Sequence, residues 1–396
     1  MIYRRFGRTE ISMPVFSCGG MRYQHKWDDL PLSEVPPDNQ SNLEATIRRS
    51  VEVGINHIET ARGYGSSERQ LGLILPQLPR DEIIVQTKIA PEADPSIFVK
   101  HFNESLDRMN LEHVDLLAIH GINTYEQYWQ SIKPGGCLAA AREIQAQGKA
   151  LHIGFSTHGA FDLVMDTVCH EGDGGFDYVN LHWYYIFQKN WPAVLAAKQR
   201  DMGLFIISPS DKGGMLYRPS EKLVELCDPL HPLVFNCLFC LRQSEVHTLS
   251  LGASTPSDFD LQLSSLPYLD EVDTLLPPIV ERLDRAMHDA VGKEVAEKFA
   301  QGLPEWEDAP DYINMPVILW LRHLAMAYDM QEYGRMRYNL LGNGGHWFPG
   351  LNASNVERLD IAKAVSKSPY KDKIPGWLKE SHEMLWSEPE KRLSES

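Results

Sequence analysis

Eight times between Ile11 and about Asp260 the chain repeats one pattern: a short apolar, β-rich run, a loop, then a stretch of helical periodicity. The runs begin near Pro14 (PVFSCGG), Ile55 (INHIET), Ile83 (IIVQTK), Val114 (VDLLAIH), Ala150 (ALHIGFS), Tyr178 (YVNLHW), Gly203 (GLFIIS) and Val246 (VHTLSLG). A near-continuous apolar strand followed by a crossover helix requires a parallel sheet covered on both faces. The intervening segments have helical signals. Phe98, Phe102, Leu106 and Met109 lie on one stripe, and Asp94-Pro95 supplies a capping side chain and a first-turn proline. Gly148 ends the next helical stretch where a left-handed residue is expected. Eight β/α units predict a closed (β/α)8 TIM barrel over residues 1–265. An open doubly wound sheet is the alternative, but it usually has a glycine-rich phosphate loop after its first strand. Gly19-Gly20 opens no GxGxxG.

Residues 266–396 stop alternating and read as a mostly helical C-terminal extension. Asp270 to Asp311 holds 12 acidic residues against 4 basic. Acidity of that kind suits a disordered tail, yet Trp306, Trp320, Trp347, Trp377 and Trp386 all fall in this region, and large aromatics are normally buried. A folded extension is expected, with fraying in the last dozen or so residues, which end KRLSES.

Composition removes several function classes. A net charge of −16 does not suit a phosphate-backbone binder, so no nucleic-acid partner is expected. The richest apolar stretch, Met315 to Ala327, is interrupted by Arg322 and His323 and falls short of the roughly 20 residues that span a bilayer, so no membrane partner is expected either. The N-terminus has no apolar signal segment, and the 6 cysteines are too sparse for a disulfide scaffold. These features point to a cytoplasmic protein with reduced thiols. They do not bear on oligomeric state.

In barrels of this type the reacting groups come from the C-terminal ends of strands. Those positions supply Glu59 and Tyr64 after the second strand, Lys88 ending the third and His120 ending the fourth. A phenol is a poor acid at neutral pH. An ammonium beside it should lower its pKa, and a carboxylate paired to the ammonium keeps that charge in place. An imidazole nearby can donate to a carbonyl. Together they suit protonation of an alkoxide by Tyr64.

The segments GINHIETARGYGSSERQLG, VQTKIA and VDLLAIHGIN resemble the three catalytic segments of the aldo-keto reductases. The resemblance extends over the barrel, including RRFGRTEISMPVFSCGGM, GFSTH and IISPSDKGGML. It implies NAD(P)H-dependent reduction of a small carbonyl substrate, with Tyr64, Lys88 and His120 matching the family tetrad and Glu59 in place of its aspartate. It also implies cofactor contacts from Gly20 and Met21, from Ser156, Thr157 and Asn180 around the nicotinamide carboxamide, and from Ser208, Pro209, Ser210, Lys212 and Gly214 along the pyrophosphate. The tyrosine that stacks on the nicotinamide in relatives aligns with Ile207, with Trp183 or Tyr184 as substitutes. Gly252 to Asp258, with Ser254 and Gln262, matches the adenosine-phosphate loop. The basic residues that grip a 2′-phosphate in many relatives stand here as Gly252 and Asp258, leaving NAD, NADP or both as cofactor. The wording ETARGYG and the long tail are closest to a subgroup with a C-terminal ferredoxin-like extension. No cysteine follows Cys240, so no iron–sulfur cluster is expected.

Other signals are weaker. Cys237-Leu-Phe-Cys240 lies in an apolar stretch and reads as packing. His158 adjoins a cofactor segment, and the Asn343–His346 turn could close over the site or simply join helices. Arg62 could meet an anionic substrate or pair with Glu59 or Glu68. The rival reading is a non-catalytic, nicotinamide-binding barrel that engages a partner through its helical extension. Glu59, Ile207 and the missing basic clamp favour it, and the otherwise intact tetrad favours an enzyme.

Overall fold

The computed structural model describes residues 1–342 and 348–388. By contact the chain groups into two compact units. Met1–Gly213 and Asn236–Val272 form the first, and Gly214–Phe235 with residues 273–388 forms the second.

The first unit opens with an antiparallel hairpin, β1 (Tyr3–Arg5) and β2 (Ser12–Pro14). Eight parallel strands follow: β3 (Phe16–Gly19), β4 (His57–Glu59), β5 (Ile84–Ile89), β6 (Val114–Ile119), β7 (Ala150–Ser156), β8 (Tyr178–Leu181), β9 (Gly203–Ile206) and β10 (Thr248–Leu251). β10 pairs with both β9 and β3, which closes the barrel. Each expected run holds one barrel strand. The hairpin was not foreseen, and Pro14 belongs to it rather than to the barrel. Helix Pro95–Met109 is capped by Asp94, which accepts from the Ser96 amide at 2.9 Å, and buries the Phe98–Met109 stripe. Gly148 turns out of helix Cys137–Ala146 at φ +75°, a conformation that favours glycine.

Side chains alternate along a strand, so inward positions recur every second residue. The inward series runs Ser17–Gly19, His57–Glu59, Gln86–Lys88, Ala118–His120, Ser156–His158, Tyr178–Asn180–His182, Phe205–Ile207 and Thr248–Ser250. The lower rungs are largely apolar. Phe6 and Met13 from the hairpin pack with Ile84, Leu116, Ala118, Tyr178 and Phe205 into one buried cluster. This floor leaves no room for extra atoms: a Cβ on Gly203 would stand 2.6 Å from the Phe6 ring, and one on Gly154 would stand 2.5 Å from the Tyr178 ring. Above it a polar layer joins Ser17 Oγ to His57 Nδ1 at 2.6 Å and to Thr248 Oγ1 at 2.7 Å.

The second unit is mainly helical, as expected. It contains Glu221–Cys227, most of Val272–Val291, Lys293–Lys298, Met315–Tyr328, Gln331–Asn339, Ile361–Ala364 and Ile374–Leu385. Ser220 explains why Gly214–Phe235 belongs here. Its hydroxyl accepts from the Leu223 amide and donates to the Tyr328 carbonyl at 2.6 Å, while Arg282 donates to Leu226 O at 3.0 Å. Arg322 and His323, which interrupt the apolar run, are both buried. Arg322 pairs with Glu380 at 2.7 Å and lies over the Trp377 ring. Trp306, Trp320 and Trp377 are half-buried, whereas Trp386 is exposed. Trp347, the Asn343–His346 turn and the KRLSES end lie outside the described residues.

The floor has a measurable consequence. Phe6→Ala should lower unfolding free energy by about 3–5 kcal/mol in urea titrations, the usual range for emptying a fully buried aromatic site.

Candidate active site

The C-terminal ends of β4, β5 and β6 bring the four sequence-predicted groups together. Glu59 ends β4, Lys88 lies near the end of β5, and His120 follows β6 with its amide bonded to Ile89 O at 2.7 Å. Tyr64 sits in the loop between β4 and helix Ser67–Ile74. Two tight turns shape that loop, with the Tyr64 amide donating to Ala61 O at 2.9 Å and the Ser67 amide to Tyr64 O at 3.0 Å.

Lys88 is the hub and is 2% exposed. Its ammonium forms an ion pair with Glu59 Oε2 and donates to the Thr60 carbonyl at 2.8 Å and to the Tyr64 hydroxyl at 3.3 Å. The His120 ring stands edge-on to Tyr64, with centroids 5.7 Å apart. Burial pulls the Lys88 ammonium below its ordinary pKa, against the opposing pull of Glu59. Burial, then the Lys88 charge, pushes His120 down to about 3, so its imidazole is neutral at physiological pH.

Tyr64 differs from expectation. Burial, followed by the Glu59 carboxylate, drives its phenol well above the ordinary value, whereas the ammonium alone would have lowered it. Lys88 is already paired with Glu59, and burial together with the carboxylate outweighs what the ammonium does to the phenol.

Glu59 fits because the wall opposite has no side chain. Gly19 lies level with Glu59 across β3–β4, and a Cβ there would stand 3.2 Å from Glu59 Oε1 and 2.7 Å from Ser250 Oγ. The Ser250 hydroxyl reaches Oε1 at 3.5 Å, a long contact.

The residues matched to cofactor contacts spread around the same rim. Ser156 and Asn180 are level with each other across β7–β8. Ser156 Oγ accepts from the Gly121 amide at 3.0 Å. Asn180 is fully buried, and both its amide atoms have no hydrogen-bond partner among the described residues. Thr157 is engaged locally, donating to Ile122 O at 2.7 Å. Gly20 and Met21 follow β3, and a Cβ on Gly20 would meet Glu59 O at 2.6 Å.

The loop Ser208–Gly213 is tightly wound. Ser208 adopts φ +53°, a Cβ on Gly213 would fall 1.8 Å from Pro209 O, and buried Asn236 donates to Pro209 O at 3.0 Å. Ser210 Oγ is buried without a described partner, and Lys212 reaches the His158 ring at 3.4 Å. Gly214 falls in the second unit.

Neither proposed substitute for the stacking tyrosine is placed to act as one. Trp183 stacks on Phe239, with Trp191 at 4.8 Å, and Tyr184 is buried and donates to the Ile207 carbonyl at 2.9 Å. Both rings are spent on packing.

In the Gly252–Asp258 loop, Asp258 folds back. Its Oδ2 accepts from the Ser254 amide at 2.7 Å and the Thr255 amide at 3.3 Å, and its Oδ1 accepts from Thr255 Oγ1 at 3.0 Å. Gln262 follows, with its Oε1 buried.

Several contacts escaped sequence reasoning. Arg22 donates to Gly252 O at 2.9 Å. His182 is buried and hydrogen-bonded to both His158 and Tyr184, and its inward parity above Tyr178 and Asn180 was an available signal. Asn236 and Trp27 carried no local signal. Arg62 pairs with Glu104 rather than with Glu59 or Glu68. Cys237 and Cys240 are buried in helix Pro232–Leu241, and burial raises both thiols, Cys237 to about 12.

The Aldo/keto reductase family profile matches residues 16–215. The chain belongs to the aldo/keto reductase family. It is similar to the L-galactose dehydrogenase of Arabidopsis thaliana, 25% identical over 296 residues that span 63% of this chain and 89% of the relative. It also resembles the NADH-specific methylglyoxal reductase of Escherichia coli, 26% identical over 291 residues, 61% of this chain and 88% of that one. An aldo-keto reductase structure from Bacillus halodurans shares the fold with a TM-score of 0.56 at 16% identity, covering 69% of this chain and 96% of that one.

The buried imidazoles make the chain acid-sensitive. Unfolded histidines accept a proton near 6.5, whereas burial holds folded His57 and His120 neutral to about 3. Below 6.5 the unfolded state therefore binds more protons, and stability falls until the folded values are reached. The urea midpoint should drop steadily on acidification from about pH 6.5 to 4. His57→Gln should make that drop shallower.

Proposed function

We propose that this chain reduces a small aldehyde or ketone to an alcohol using a nicotinamide cofactor, with Tyr64 as proton donor. The observation that carries the reading is the Tyr64–Lys88–Glu59 chain, its ion pair buried, with His120 edge-on to the phenol. The described residues suit the cofactor: the unpartnered Asn180 amide beside Ser156 matches the donor and acceptor of a carboxamide. When bound, the nicotinamide supplies hydride to the carbonyl carbon.

This chain's own groups do the rest. His120, neutral, donates a hydrogen bond to the carbonyl oxygen and orients it. Tyr64 keeps its proton across the neutral range and gives it to the developing alkoxide, a far stronger base. Lys88 holds the phenol oxygen in place, and Glu59 and the Thr60 carbonyl hold Lys88.

The name of the Escherichia coli relative supports a substrate class: methylglyoxal carries an oxygen on the carbon next to its carbonyl, so we assign an α-oxygenated carbonyl compound as substrate. NADH is the cofactor this reading favours. The Ser254 and Thr255 amides that could cradle a 2′-phosphate already hold the Asp258 carboxylate, which would also repel that phosphate.

Three outcomes test the proposal. In fluorescence titration NADH should bind at least about tenfold more tightly than NADPH, and binding of neither would overturn it. Tyr64→Phe should lower the rate of carbonyl reduction about a hundred- to ten-thousandfold while NADH affinity is retained. Because the phenol is raised, reduction should show no alkaline fall between about pH 7 and 9.

A further inference from the structure

Trp27 stands beside Tyr64 in the loop that follows β3. The two rings meet edge-on, with centroids 5.9 Å apart at 73°. The indole Nε1 is buried and has no hydrogen-bond partner among the described residues. Burying such a donor unpaired is costly, so this is an unusual place to leave one.

Nor is Trp27 loosely held. The His25 amide donates to Gln70 Oε1 at 2.9 Å and to Ser66 Oγ at 3.2 Å, and the Ser66 amide donates to Lys26 O at 3.1 Å. Asp29 binds Arg69 at 2.7 Å and also pairs with Arg108. The backbone of residues 26–27 rests directly on Gly65, where a Cβ would stand 1.9 Å from Lys26 O and 2.6 Å from Trp27 C. Residues 25–29 are thus a strap stitched to the segment that carries the proton donor. The position of Trp27 relative to Tyr64 is set in advance.

We propose that the Trp27 indole N–H is a specificity determinant, donating a hydrogen bond to the substrate oxygen adjacent to the reacting carbonyl. The inference rests on the reductase reading and deepens it. A carbonyl oxygen seated on Tyr64 brings the neighbouring carbon and its oxygen beside the same phenol, which the Trp27 ring flanks edge-on. An α-hydroxyl or second carbonyl satisfies the buried donor. An unsubstituted aldehyde leaves it unpaired and forfeits that hydrogen bond.

The test compares lactaldehyde with propanal, which differ by one α-hydroxyl, under saturating NADH in wild type and Trp27→Phe. In wild type kcat/KM should favour lactaldehyde, and W27F should reduce that preference about three- to tenfold, mainly through KM. An unchanged ratio in W27F overturns the assignment even if overall turnover falls. A second measurement needs no variant. Propylene glycol and propanol, the corresponding alcohols, should differ as product inhibitors of the wild type, with the diol stronger, and equal inhibition also overturns it. A wild type that reduces neither aldehyde removes the reductase reading, and the assignment falls with it. That failure is seen without any substitution and is therefore distinguishable.

Discussion

An ammonium 2% exposed inside a barrel is the constraint on which this structure turns. Removing a charge from water is expensive, and a lysine can stay ionised there only with a partner and further hydrogen bonds. Lys88 has Glu59 and the Thr60 carbonyl, both supplied by β4 and the residue that follows it. The neighbouring segments must therefore stay in register. The Thr60 amide bonds to Gln86 O at 2.8 Å and the Arg62 amide to Lys88 O at 3.1 Å, continuing the ladder past the end of β4. Tyr64 is carried by that same continuation. The ion pair, the strand register and the placement of the phenol are one arrangement.

The barrel interior changes character along its axis. At one end the hairpin inserts Phe6 and Met13 among apolar rungs. In the middle Ser17, His57 and Thr248 bond to one another, and at the other end the rungs become ionisable. Apolar packing is concentrated at the floor and ionisable groups at the rim. This lets the rim hold groups that would be unwelcome in a uniform core, including a neutral His120 and an unpartnered Asn180 amide.

Much of this was legible in the sequence, for identifiable reasons. Strands buried on both faces produce unbroken apolar runs, and all eight could be read. Strand-end positions of Glu59, Lys88 and His120 follow from where those runs stop. What escaped depends on residues distant in sequence. Arg22 meets Gly252, and Asn236 meets Pro209, with no local pattern announcing either. Residues 214–235 group with the later helices through Ser220 and Arg282. The direction of the Tyr64 shift was missed because only the Lys88 ammonium was weighed, whereas burial and the Glu59 carboxylate both raise the phenol. Trp183 and Tyr184 looked available because composition cannot tell a ring facing a ligand from one stacked on Phe239 or bonded to Ile207.

Gly19 and Glu59 bear a further consequence. The longer acid reaches Lys88 because the facing strand position carries no Cβ, and Ser250 lies on the far side of the same gap. An alanine at 19 and a glutamate at 59 compete for one volume. Among descendants of this sequence the two sites should not drift independently: a Cβ at 19 presses on Glu59 Oε1 at 3.2 Å as well as on Ser250 Oγ and the Leu251 carbonyl, so a larger residue 19 asks for both a shorter acid and a shift of β10. Glu59 is in that sense a property of two strands, and its replacement history is readable only together with that of the glycine opposite.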